Sequence, residues 1–167
     1  KPSFEWTEEC FKNGVGNCGL KAWSMHPYGL KSPEMFTEGY DISKAILKKY
    51  DASDLILINS ERGFATKKKK EGWSGGNEKD AKAYQAWHVV RQFMIDQMNG
   101  ISLTIWYEWG AKDFGLGLPG KENPSWYAYE TMNKELAGYE YAERLDLGAE
   151  LDFALLFKNK SGAEKLV

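Results

Sequence analysis

Two hydrophobic periods alternate along the chain. Phe4, Trp6 and Phe11 lie within residues 3–13, ahead of Gly14, which predicts a short helix stopped by a glycine. Leu20, Ala22, Trp23 and Met25 then predict a short strand, closed by Pro27 and Gly29. The next segment opens with Ser32-Pro33-Glu34, a cap and first turn, and carries Ile42, Ala45 and Ile46 at helical spacing. Residues 55–59, LILIN, are apolar without alternation, as in a strand buried on both faces. A polar, glycine-rich loop spans 62–77. Ala83, Trp87, Val90, Met94 and Met98 recur every three or four residues and predict a helix over 78–98, with Asn77 and Asp80 at its start and Gly100 past its end. ISLTIWYEW, residues 101–109, is β-branched and aromatic, a third strand. NPSWYAYETMNKELAG predicts a further amphipathic helix ending at Gly138. Beyond Tyr139 the pattern turns β-rich, and Phe153–Phe157 and Ala163–Val167 read as a hairpin about a turn at 159–162.

The order is a helix and then three β-α units, which calls for parallel strands covered by helices. The expected fold class is α/β, with one unit over residues 1–138 and the beginning of a β-rich module over 139–167. Trp6, Trp87 and Trp126 lie on predicted helices and are expected in the core, as is His88.

A length of 167 residues with 43% hydrophobic content supports one ordinary domain with a real core. The net charge of −2 offers no basic field, so a nucleic-acid partner is not expected; the four lysines at 67–70 read as a solvated loop. No apolar run approaches the roughly 18 residues that would span a membrane. Cys10 and Cys18 are close enough in sequence for a disulfide, and two buried thiols fit equally. The cysteines and the distant His26 and His88 show no metal-ligand spacing, so neither metal nor cofactor is expected. Aromatic residues make up 14% of the chain, above ordinary usage. Rings beyond the needs of a core can pack against the C–H faces of sugars.

In parallel α/β folds the functional groups collect at the carboxyl ends of the strands. The first strand here ends in His26 and Tyr28, the second in Glu61, and the third in Trp106, Tyr107, Glu108 and Trp109. A carboxylate, an imidazole, a phenol and indoles on one face are what a carbohydrate site requires: attack at the anomeric carbon, partners for hydroxyls, and an aromatic floor. Each residue also has a plainer role open to it. Glu61 can cap a loop, and His26 can be a satisfied core histidine. Glu108 and Asp113 read as rim groups. Trp73 is either a distal sugar platform or loop packing.

AWSMHPYG, ILINSERGFAT and ISLTIWYEWGAKDFGLG, in this order, resemble the sixth, seventh and eighth strands of retaining glycoside hydrolases of the large (β/α)8-barrel clan, which includes cellulase-like and β-xylosidase-like families. NPSWYAYETMNKELAGYEY resembles the eighth helix, and the following segment resembles the start of an appended β-sandwich. The resemblance covers nearly the whole chain and rests on the ordered set rather than on one motif. It implies that Glu61 is the catalytic nucleophile, that His26 and Tyr28 line the subsite beside it, and that Trp106 lies under the same sugar, followed by a non-proline cis bond to Tyr107. Trp109 and Trp73 are the further substrate-binding aromatics. Arg62 departs from the aromatic residue or Phe-Gly step that more often follows the glutamate.

The clan's acid/base sits in an Asn-Glu pair ending the fourth strand. Here the Asn77-Glu78 step instead opens a helix, and strands one to five have no counterpart. The chain, which begins at Lys1 rather than Met, therefore reads as about three-eighths of a barrel. The partners expected are a carbohydrate substrate and either a complementary polypeptide carrying the remaining strands or further copies of the chain. The implied location is extracellular or periplasmic. The competing reading is a non-catalytic fragment that binds sugar or serves in assembly.

Overall fold

The structure, a computed structural model, describes residues 3–28, 32–66, 78–110, 113–117, 123–150 and 152–167. Helix α1 spans Phe4–Lys12, where Ser3 Oγ accepts the Trp6 N–H at 3.1 Å and Gly14 follows at φ 88°. Strand β1 is Ala22–Met25. The segment opened by Ser32 divides into a 3₁₀ turn, Pro33–Phe36, and helix α2, Thr37–Lys49. Strand β2 runs Ile56–Arg62, past the apolar run and through Glu61. Helix α3 is Glu78–Met98, β3 is only Thr104–Trp106, and α4 is Pro124–Leu136, capped by Asn123 Oδ1 on the Ser125 N–H at 3.0 Å. Strands β4 (Tyr139–Leu145), β5 (Ala154–Asn159) and β6 (Glu164–Leu166) follow.

The molecule is mixed α/β, with a parallel sheet in the order β1-β2-β3 and an antiparallel sheet in the order β4-β5-β6. The predicted hairpin is thus joined by a third strand, β4, whose apolar positions are too sparse to mark it in the sequence. Leu155 and Phe157 of β5 pack on Met94 of α3 and Met132 of α4, so the antiparallel sheet rests on the helices of the preceding unit.

The parallel sheet has two unlike faces. Met25 and Leu57 join Phe11, Tyr40, Ile46 and Leu47 in a core under α1 and α2. Trp106 packs with Phe64, Ala81, Val89 and Leu116 against α3. By strand alternation, Ile56, Leu103 and Ile105 point the other way, and all three are exposed. The LILIN strand is therefore covered on one face only, contrary to the reading of its unbroken apolar run.

Two of the helix tryptophans expected in the core lie outside it. Trp6 is 63% exposed and Trp87 is 57% exposed, the latter beside Tyr84 on the outer face of α3. The inner face of α3 carries instead the buried Gln85, His88, Gln92 and Asp96. Both cysteines are free; Cys10 is half-buried and Cys18 exposed. None of the described helices is long and apolar enough to cross a membrane. Asn77 and the four lysines at 67–70 lie outside the described residues.

Candidate active site at the carboxyl end of the parallel sheet

Strand β2 does not keep a regular register with β3. Asn59 pairs with Thr104 and Arg62 with Trp106, three residues of one strand against two of the other. Such a bulge reverses the side-chain alternation beyond it. Asn59 and Arg62 consequently both turn toward α3. Asn59 Nδ2 donates to Asp96 Oδ2 at 2.8 Å, and Arg62 reaches His88 Nε2 at 2.8 Å and Gln92 Oε1 at 3.3 Å. Ser60 and Glu61 are left on the open face.

His26 meets them there. Its alternation partner Met25 is in the core, so His26 and Ser24 share the open side of β1. His26 Nε2 lies 3.0 Å from Ser60 Oγ, and His26 Nδ1 lies 4.0 Å from Glu61 Oε1. Ser24 Oγ and Ser60 Oγ are hydrogen-bonded to each other. His26 and Glu61 are both partly exposed, so His26 is not a core histidine. Tyr28, beyond the buried Pro27, is held by the Arg62 guanidinium, whose Cζ lies 5.1 Å from the centre of its ring.

The structure thus brings His26, Tyr28 and Glu61 to one end of the sheet. Trp106 is placed differently. It is 8% exposed on the helix side, with Nε1 donating to the Phe114 carbonyl at 2.9 Å and its ring edge-on to His88. Alternation gives the open face to Tyr107, which is 44% exposed. Tyr107 directly follows β3, its N–H bonded to the Arg62 carbonyl at 2.9 Å, one residue beyond Glu61. The non-proline cis bond is Tyr107–Glu108, one residue beyond the position the resemblance implied. Trp109 is an exposed ring at the same end, supported edge-on by Trp126 at 4.8 Å. Trp73 lies outside the described residues. Among the described residues no group of three or more His, Cys, Asp or Glu is arranged to hold a metal ion.

Ser24 and Ser60 escaped the sequence reading. Ser24 was legible as the residue two before His26 on the same strand; Ser60 was not, because its side depends on the bulge.

Beneath the tip is a buried polar network. Asp96 accepts from Tyr40 at 2.5 Å and from Asn59, Gln92 and Thr104 at 2.8 Å each. Burial raises the Asp96 carboxyl above its ordinary range, and those four donors draw it back. Burial, then the neighbouring Arg62 and Arg91 cations, hold His88 well below the usual imidazole value, so it stands neutral and its Nε2 accepts a hydrogen bond from the Arg62 guanidinium.

A depressed folded-state value on a histidine gives stability that is full above the unfolded value of about 6.5 and is lost as pH falls toward the folded one. The chain is expected to lose about 1.4 kcal/mol per pH unit through this one proton below that point. In His88→Gln, which can still accept from Arg62, this slope is expected to vanish. The raised Asp96 contributes with the opposite sign in both proteins and cancels in the comparison. Urea titrations between pH 7 and 5 measure it, and equal slopes in the two proteins would refute the assignment.

No protein-family model matches this sequence, and no curated protein sequence matches it.

Proposed function

We propose that the chain carries the nucleophile side of a retaining β-glycosidase site acting on oligo- or polysaccharides. The observation that supports this best is the bulge at Asn59–Arg62, which sets a carboxylate on the open face at the carboxyl end of a parallel sheet with His26 against it. Glu61 attacks the anomeric carbon to give a glycosyl ester, which water then releases. His26 and Tyr28 border the reacting sugar, while Tyr107 and Trp109 offer ring faces to it and its neighbours. The second carboxylate, which the mechanism needs about 5–5.5 Å from the first, comes from outside this chain.

The uncovered apolar face of the sheet favours the same arrangement. Parallel sheets are ordinarily buried on both sides, and Ile56, Leu103 and Ile105 need a cover. A complementary polypeptide with the remaining strands supplies it, or failing that another copy of the chain. An extracellular or periplasmic location suits a polysaccharide substrate. The exposed Trp109 favours a second reading, in which the chain binds sugar without cleaving it.

The test is labelling with a 2-deoxy-2-fluoro β-glycoside once the complementary strands are supplied. The adduct is expected on Glu61, and Glu61→Gln is expected to lower turnover by roughly four to six orders of magnitude while sugar binding persists. An adduct on Glu108 or Asp113 would overturn the assignment; sugar binding with no adduct favours the non-catalytic reading.

A further inference from the structure

Ser60 plays no part in the glycosidase reading, yet it occupies the position of an activated nucleophile. Its Oγ lies 3.0 Å from His26 Nε2, and the other imidazole nitrogen faces the Glu61 carboxylate at 4.0 Å. A hydroxyl, an imidazole and a carboxylate in series are the parts of an acyl-transfer site, in which the base takes the hydroxyl proton and the acid holds the ring in the right tautomer. The separation on the carboxylate side is longer than a hydrogen bond, as such contacts often are without substrate, and Glu61 is exposed enough to turn. Ser24 adds a second hydroxyl. With the Ser60 proton directed at His26, the Ser24 O–H donates to the Ser60 oxygen and steadies the negative charge that develops there. All four side chains stand on the open face, so a small acyl group can approach from solvent.

The geometry points to Ser60, His26 and Glu61 as a hydrolytic site for small, activated carboxylic esters, independent of any glycoside chemistry. Ser60 Oγ attacks the carbonyl carbon as His26 Nε2 takes its proton. The tetrahedral intermediate collapses, expelling the alcohol or phenolate and leaving Ser60 acylated. The imidazolium gives its proton to the leaving group or to solvent. Water then attacks the acyl carbon, its proton passing to His26 Nε2 and on to the departing Ser60 oxygen, and a carboxylic acid is released.

The probe is p-nitrophenyl acetate, whose leaving group departs without acid assistance, applied to the full chain alone. An acetyl group is expected on Ser60 by intact mass and peptide mapping, together with a burst of p-nitrophenolate. Ser60→Ala is expected to lower the enzyme-dependent rate at least tenfold, and Glu61→Gln by about tenfold or more. Peptide mapping on the unaltered chain needs no variant, so a folding defect in one cannot mask the result. Acetylation confined to lysines or to His26, or a rate unchanged in Ser60→Ala, would overturn the proposal. The glycosidase reading needs Glu61 but not Ser60 and is decided separately by the fluoroglycoside label.

Discussion

Asp96→Leu is expected to cost about 3–5 kcal/mol of folding free energy, a large share of the roughly 5–15 kcal/mol that holds a domain folded. Asp96 is fully buried and receives hydrogen bonds from four elements: Tyr40 on α2, Asn59 on β2, Thr104 beside α3 on β3, and Gln92 on its own helix. Leucine has similar bulk but accepts nothing, so three buried donors and the half-buried Thr104 hydroxyl lose their partner, and each buried loss costs on the order of 1–3 kcal/mol. The buried Arg62 is joined to Asp96 through Gln92, so the loss also loosens the glutamine that Arg62 donates to. Asp96→Asn keeps the shape and one acceptor oxygen and should fall between the two. Urea unfolding followed by tryptophan fluorescence measures both. A cost below about 1 kcal/mol for the leucine variant would mean that water satisfies these donors and that the network is not a structural tie.

Gly63→Ala is expected to be nearly as damaging, by a steric route. A β-carbon there would lie 2.1 Å from the Tyr107 carbonyl oxygen and 2.7 Å from Phe114 Cδ1. The nearer atom belongs to the backbone and cannot rotate aside, and the Tyr107 N–H is itself tied to the Arg62 carbonyl at 2.9 Å. The tips of β2 and β3 must therefore part, at a cost of roughly 2–4 kcal/mol, or a fall in Tm on the order of 10 °C. Gly110→Ala is the control, because no atom of the described residues outside its chain neighbours lies closer than 3.9 Å to its added carbon, and it should shift Tm by no more than a degree or two. Equal Tm values for the two variants in a thermal scan would refute the close-approach argument. The Gly63 variant should also lose whatever chemistry Glu61 performs, since the bulge that aims it adjoins the same contact.

The sequence showed the elements better than their faces. The long helix was legible at its full extent, Glu78–Met98, because apolar residues recur on it at helical spacing. Its apolar stripe turns inward at Val90, Met94 and Met98, as the spacing predicts, while Trp87 on the same stripe is exposed. The helix also buries a second, polar stripe, Gln85, His88, Gln92 and Asp96, and such a stripe reads as solvent-facing until its partners are known. Those partners are Tyr40, Asn59 and Arg62, distant in sequence, and the nearer Thr104, each unremarkable by itself. Glu61 and His26 were legible because strand ends are where parallel folds place their chemistry. The sides taken by Trp106 and Tyr107 were not legible, because the parity of so short a strand has few residues to set it. The same holds for Ser60, whose orientation depends on a bulge that no local pattern announces.

The joints on the two sides of α3 differ in how far they allow the sequence to drift. Toward the parallel sheet, Asp96 and its donors are directional, and a change to one member must be answered by another. Toward the antiparallel sheet, Met94 and Met132 meet Leu155 and Phe157, with Met98 at the margin. Thioether side chains bend to fill irregular space, and apolar exchanges of similar volume cost little there. Variation should accumulate along the methionine seam, where β-strands of different sequence can be seated on the same two helices, while the carboxylate knot changes as a set or not at all.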